Sequence, residues 1–408
     1  MKVDLFLMPT VPATFEERAN ERPVGRSRKR YQMMIDEIRE IAVMADEFGI
    51  DAFSTTEHHL HTEGGEAMPN PVLLYADLAA RTQNIHFIPM SIVLTATNPI
   101  RAAEDIALLD HLTKGRTGVC LARGYQKRWL EILSQGVPTA NLSGDAANRE
   151  RFTEYAEILL KAWTEDAFDF DGKFFKIPYP YEGMSGWGPA EWTRKYGSDG
   201  EIDDDSLIRK IGVIPKPYQD PHPPVFVPYT ASPATLDFAI EKNFTPFVFA
   251  SVPEQFNQIC QDLAAKATSF GRPQSLGQNV GAVRGLAIGD TEEEAFELCA
   301  STTGYEFQYY WNYFGFAETF RDPEKDDPNK MVSFKDEYEC AQRIIDRKWQ
   351  LCGTVDQVKQ QMYDLHTCYG DGALEWFQWN FFYQGTHHRD VQRKQLELFA
   401  DKILPEFR

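Results

Sequence analysis

A short apolar run followed by a stretch of helical spacing recurs along this chain, and that alternation limits its fold more than any other feature. Val3 to Met8 is apolar and stops at Pro9. Tyr31 to Phe48 then places Met34, Ile35, Ile38, Ile41, Ala42 and Ala45 on one helical face before Gly49 closes it, so the order is strand, then helix. The pattern returns at Ala52–Thr55 before Asn70-Pro71, at Ile85–Leu94 before Asn98-Pro99, and at Thr117–Leu121 before a helix from Asn148 to Trp163. Asn-Pro supplies an N-cap side chain and then a proline suited to the first helical turn. Val225–Val227, Phe247–Phe249, Val283–Ile288 and Leu374–Phe382 continue the series, each with a helical stretch behind it. Roughly eight such units in order predict a single parallel (β/α)8 TIM barrel of class α/β spanning residues 1–408. An open doubly wound sheet is the runner-up, but no Gly-x-Gly-x-x-Gly follows the first strand.

Three segments exceed what a barrel needs, at about 9–30, 178–224 and 315–348. The first reads as a polar loop. The second is rich in proline and carries Trp187, Trp192 and the acidic run Asp203–Asp205; the third contains Arg321–Lys330, almost all charge and proline. The first two are expected to enlarge the loops that shape a substrate site, and the third to act as a lid.

Composition narrows the partners. Apolar residues make up 43% and aromatics 13%, enough for a large core, while 42 basic against 61 acidic residues leave a net charge of −19. Such a surface repels phosphate backbones and anionic lipid, so neither nucleic acid nor membrane is expected as a partner. Six cysteines are scattered with no Cys-x-x-Cys, and the first residues lack a signal-like apolar run, which predicts a cytoplasmic protein.

The candidates for chemistry cluster just past predicted strands, where barrel enzymes keep their catalytic groups. Glu57-His58-His59-Leu60-His61 follows the second strand. Its spacing lacks the helical i, i+4 arrangement of a zinc protease, and neighbours on an extended chain point apart, so no metal is expected. A histidine that moves or holds a proton at the barrel mouth is the reading it supports. Arg123, Arg149 and the helix start Ser232-Pro233-Ala234-Thr235 together describe an anion cup: free N–H groups, two hydroxyls and guanidinium groups suited to phosphate oxygens. Tyr309 to Phe314 is an aromatic run fit for core packing and for walling a planar cofactor.

These residues resemble the bacterial luciferase-like flavin-dependent monooxygenases, the luciferase α subunit in particular. The similarity rests on Glu57-His58-His59, Asn70-Pro71, Ile92-Val93-Leu94, Asn98-Pro99-Ile100-Arg101, Ala103-Glu104-Asp105, Leu108-Leu109-Asp110 and Lys114-Gly115-Arg116 running on to Arg123-Gly124. It continues at Pro223-Pro224-Val225, Ser232 with Thr235, Trp311 and Cys352-Gly353-Thr354. The resemblance implies the same barrel and the oxygenase component of a two-component FMN-dependent monooxygenase. A separate NAD(P)H:flavin reductase would supply reduced FMN, which reacts with O2 to a flavin hydroperoxide and inserts one oxygen atom into a small, largely apolar organic substrate. It further implies that Arg123, Arg149, Ser232 and Thr235 hold the phosphate, and that His58 is catalytic with His59 and Glu57 in support, Glu57 biasing His58 toward its charged form. Met90-Ser91 matches a pair joined by a cis peptide bond against the flavin ring, Trp311 matches an aromatic near it, and a homodimer is the family-based expectation. Where luciferase carries a reactive thiol before the arginine, this chain has Ala122, with Cys120 two residues earlier. A deazaflavin-dependent oxidoreductase of the same fold and a non-catalytic flavin-binding protein are the alternatives.

Overall fold

The computed structural model describes residues 1–135, 146–230 and 232–408. Strands β1 (Lys2–Leu7), β2 (Ala52–Thr55), β3 (His86–Val93) and β4 (Val119–Ala122) lie side by side in parallel. A two-stranded antiparallel hairpin, β5 (Phe170–Asp171) and β6 (Lys176–Ile177), stands apart from them. The main sheet resumes with β7 (Val225–Tyr229), β8 (Thr245–Val248) and β9 (Gly281–Ile288), and β11 (Trp376–Asn380) closes the ring by pairing with both β9 and β1. The result is the closed eight-stranded parallel barrel that the alternation predicts. The sequence reading missed β10 (Gln350–Gly353), which pairs with the upper half of β9, Gly285 to Ile288, above the point where β8 meets it.

Period-two geometry splits β1 between two cores. Val3, Leu5 and Leu7 pack outward with Met34, Ile38 and Ile41, whereas Phe6 joins Ile88, Met90, Cys120, Phe226 and Trp376 inside the barrel. The outer residues meet α2 (Arg28–Glu47), which follows α1 (Phe15–Asn20). Helices α3 (Pro71–Ala79) and α4 (Pro99–Thr113) start as their Asn-Pro pairs predict: Asn70 Oδ1 accepts from Leu73 N at 2.9 Å, and Asn98 Oδ1 from Ile100 N at 2.9 Å. Each such cap contributes about 1 kcal/mol. The remaining helices are α5 (Lys127–Ser134), α6 (Ala146–Thr164), α7 (Ala190–Tyr196), α8 (Pro233–Lys242), α9 (Pro253–Ser269), α10 (Glu292–Cys299), α11 (Tyr305–Tyr309), α12 (Glu337–Asp346), α13 (Val355–His366) and α14 (Arg389–Leu398). No helix among the described residues is long and apolar enough to cross a membrane.

The three excess segments differ from their expected form. Pro9–Arg30 holds α1, begun by a Thr14–Glu17 capping box, and it lies over the β2 loop: Val11 N donates to Gly64 O at 2.7 Å and Arg18 Nη1 to Glu63 O at 2.6 Å. Pro178–Pro224 does not enlarge the mouth. Gln219 donates to both carboxylate oxygens of Asp110 at 2.8 Å and to Thr117 O at 2.7 Å, and His111 Nε2 lies 2.9 Å from Lys216 O. Those anchors sit at the carboxyl end of α4 and just before β4, so the insertion occupies the amino end of the barrel, opposite the site. An insertion between a helix and the next strand must emerge there, since each strand runs from that end toward the mouth. Gly315–Lys348 is likewise no bare loop. It contains a 3-10 turn at Phe316–Phe320 and α12, with Phe320 fully buried and Arg343 Nη1 paired to Asp326 at 2.6 Å.

Candidate active site

Beyond β2 the chain makes a loop that returns on itself. His58 N donates to Met68 O at 2.9 Å, which lays the outgoing and returning limbs side by side and brings Glu66 against His58. The turn needs a glycine at Gly64, whose φ is +84° and where a Cβ would stand 3.0 Å from the side chains of Val11 and Val24. His58 and Glu66 are buried, at 9% and 3% exposure.

Glu66 is the hub. Its Oε1 lies 2.6 Å from His58 Nδ1, a short contact whose alignment is poor for a hydrogen bond, so it acts chiefly through charge. A bare nitrogen lone pair at that distance from a carboxylate oxygen would be repelled, which places the proton on Nδ1. Among the described residues His58 Nδ1 faces Glu66 without a well-formed hydrogen bond, and Nε2 is the nitrogen turned away from that carboxylate. Glu66 Oε2 accepts from Tyr310 Oη at 2.5 Å and from Gln126 Nε2 at 3.0 Å. Gln126 is held in that orientation because its Oε1 accepts from Trp129 Nε1 at 2.9 Å. Burial pushes Glu66 up, but His58, then Tyr310 and His61, more than offset it and hold the carboxyl below the ordinary glutamate range.

His61 completes the cluster as a strut. Its Nδ1 lies 3.0 Å from Gly65 O and its Nε2 2.8 Å from Gln126 Oε1. Two carbonyl partners suit a protonated ring, whereas burial pulls His61 below the ordinary histidine range with Glu66 pulling the other way. Only the protonated ring can donate to both; a neutral ring bonds one of the two. Potential ligand atoms of His58, His61 and Glu66 lie within 4.8 Å of one another, a set that could in principle hold a metal ion. In this structure they face one another, and Gly65, Gln126 and Tyr310 hydrogen-bond to His61 and Glu66.

Glu57 does not do what the sequence predicts. It accepts from Val93 N at 2.9 Å and pairs with His59 Nε2 at 3.0 Å, so it fixes His59 and the end of β3, and the carboxylate beside His58 is Glu66. Both imidazoles flank one indole: Trp129 is 5.9 Å from the His58 ring and 5.2 Å from the His59 ring.

The structure brings part of the anion cup together. Arg149 Nη1 donates to Ser232 Oγ at 3.3 Å, and the Ser232 side chain makes no cap bond to α8, leaving that helix start uncapped. Thr235 lies on the first turn, its N–H bonded to Ser232 O at 3.0 Å. The Arg123 carbonyl accepts from Thr95 Oγ1 at 2.7 Å and from Asn148 Nδ2 at 3.4 Å, which sets Arg123 beside the residue that precedes Arg149. The Met90–Ser91 peptide bond is cis. Ser91 Oγ donates to Cys120 Sγ at 3.3 Å, and burial pushes that thiol up to about 12, so Cys120 stays protonated inside the barrel.

Aromatic rings wall the mouth. Tyr125, just past β4, meets Phe314 and Phe316 edge-on at 5.6 Å each, and Trp311 stands edge-on to Phe316 at 5.2 Å. Three buried polar atoms here have no partner among the described residues: Thr56 Oγ1, Asn380 Oδ1 and Trp311 Nε1. A planar heterocycle with donors and acceptors on its rim and a phosphate on its tail fits this set. Sequence reasoning missed Glu66, Gln126 and Tyr310 as site residues; the single advance signal was that Tyr310 belongs to the aromatic run.

Comparison with known proteins identifies a family for the chain. A family model described as luciferase-like monooxygenase matches residues 2–372. The oxygenase component of flavin-dependent trigonelline monooxygenase from Acinetobacter baylyi is 22% identical over 92% of this chain and 91% of its own. The 3,6-diketocamphane 1,6-monooxygenase of Pseudomonas putida is 25% identical over 68% of this chain and 71% of its own. Among solved structures, the oxygenating constituent of 3,6-diketocamphane monooxygenase in complex with FMN superposes with a TM-score of 0.73 at 22% identity, covering 100% of this chain and 99% of that one.

Proposed function

Because the chain belongs to the luciferase-like monooxygenases, we propose that it is the oxygenase half of a two-component system, which takes reduced FMN from a separate reductase and uses O2 to place one oxygen atom in a small, largely apolar substrate. Reduced FMN, when bound, supplies the electrons that activate oxygen. Arg123, Arg149, Ser232 and Thr235 hold its phosphate at the start of α8, where the helix dipole and guanidinium charge favour an anion. Met90-Ser91 and Trp311 flank the ring. The aromatic wall excludes water and leaves an apolar berth for substrate. His58 receives and returns the proton at Nε2, with Glu66 keeping the other nitrogen protonated, and His59 is the weaker partner, held by Glu57.

The observation that carries this reading is the buried His58–Glu66 pair, with Nε2 turned away from that carboxylate at the carboxyl end of β2. The relatives' names support FMN and a compact substrate. Six unpaired thiols support a cytoplasmic setting. Exposed Leu73, Leu108 and Leu112 on α3 and α4 support a homodimer through that face. Anaerobic titration with FMN, riboflavin and a deazaflavin, followed by oxygen uptake with NADH and a flavin reductase, tests the assignment. Reduced FMN should bind tightly and consume oxygen; preference for the deazaflavin, or binding without turnover, would overturn it.

A further inference from the structure

We infer that Glu66 and Tyr310 are a positioning pair that fixes the tautomer of His58 and ties its protonation to the seating of the aromatic segment, an inference that rests on the proton-transfer role proposed above. The segment belongs to a distant part of the chain: Tyr310 immediately follows α11 and precedes Gly315–Lys348. Its hydroxyl reaches Glu66 Oε2 at 2.5 Å while Glu66 Oε1 faces His58 Nδ1 at 2.6 Å, so one carboxylate spans the aromatic segment and the catalytic ring.

The same helical turn brings a second group. Glu306 lies four residues before Tyr310, whose backbone N donates to Glu306 O at 3.0 Å. Burial, and then Glu66, push Glu306 up to about 7, with Arg18 opposing. Seating the segment therefore presents Glu66 with a donor from Tyr310 and with the Glu306 carboxyl, whose ionisation Glu66 opposes. The other charged or titratable groups around the cluster are His61, Tyr125, and the Glu63–Arg128 pair beside His61. His59 is bound to Glu57 on the far limb of the loop.

This arrangement makes two small substitutions act in opposite senses. Tyr310→Phe removes one donor from Glu66, leaving its charge less neutralised and more available to His58, which favours the imidazolium. Glu66→Gln removes the charge and disfavours it. A residue that only packs would move both variants alike, or neither.

The test is histidine ¹⁵N NMR on the whole protein without cofactor, the His58 signal being assigned by its loss in His58→Gln. His58 should carry its proton on Nδ1. Its titration midpoint should move up by about half a unit in Tyr310→Phe and down by about one unit in Glu66→Gln. Midpoints that shift in the same direction or not at all, or a proton on Nε2, would overturn the pair. Failure of the underlying reading looks different: oxygen uptake and peroxide release would then be unchanged in His58→Gln whatever the NMR showed.

Discussion

Glu66 accepts from a phenol and an amide and faces an imidazole through charge, so its negative charge is shared among the three. Neither the return of the loop that brings Glu66 back to His58 nor the approach of Tyr310 from 244 residues away is local in sequence. That is why Glu57, adjacent to the histidines, looked like the natural partner, and why a motif that marks His58 said nothing of its true neighbour. Residue-scale outcomes follow from the geometry. His58→Ala should bind reduced FMN almost normally yet lose ~100-fold or more in product formation, as expected for a general acid or base, with His59→Ala milder; rapid-mixing kinetics on the two variants would reveal a reversed order. Arg149→Ala should weaken FMN by about 1.5–3 kcal/mol and riboflavin hardly at all, and calorimetry showing equal losses would remove it from the phosphate cup. Asp4, fully buried inside the barrel, tests the core instead. Burial pushes its carboxyl up to about 6, against hydrogen bonds from Ser54 and Gln378. A raised folded-state value means stability that is present at low pH and lost as pH rises through about 6. Asp4→Asn should therefore gain on the parent protein by about 1 kcal/mol between pH 5 and 8, measurable as diverging denaturation midpoints; parallel curves would show that the site is better solvated than its burial implies.

At the scale of elements, the strands and helices that shape the barrel were legible because each signal was local: apolar runs bounded by proline, and Asn-Pro pairs that supply both a cap and a compatible first turn. Strand β10 escaped because Gln350–Gly353 has neither length nor alternation, and its strand character comes from β9 alongside it. α12 escaped for a related reason: the charge and proline of Arg321–Lys330 dominated the reading of the surrounding segment, and the helix lies just beyond. The segment Gly315–Lys348, expected to act as a lid, is pinned as well as charged. Arg321 donates to the carbonyls of Asp327 and Lys330, and Asp326 holds Arg343 of α12. We therefore expect Arg343→Met to loosen the segment and raise peroxide released per NADH consumed about two- to tenfold, because water then reaches the reacting centre, while FMN affinity stays near normal. Unchanged coupling in a peroxide assay would make the segment a static wall.

For the whole molecule, closure of the ring was legible from the count and order of units, whereas the end on which each excess segment lands was not, because that depends on whether it interrupts a strand-to-helix or a helix-to-strand connection. Pro9–Arg30 follows β1 and joins the mouth; Pro178–Pro224 precedes β7 and joins the opposite end. Light scattering should show a dimer that Leu108→Asp with Leu112→Asp converts to monomer, since burying each leucine contributes roughly 1.5–3 kcal/mol per side chain. A native molecule that is already monomeric would return those leucines to ordinary surface. The amino-end insertion has a practical sequel. It presents Tyr179, Trp192 and Ile214 outward, each more than half exposed, and it shares no hydrogen bond with the His58 cluster. A cysteine or affinity handle grafted there would tether the catalyst to a bead or electrode by its base, with every mouth turned to the flowing liquid.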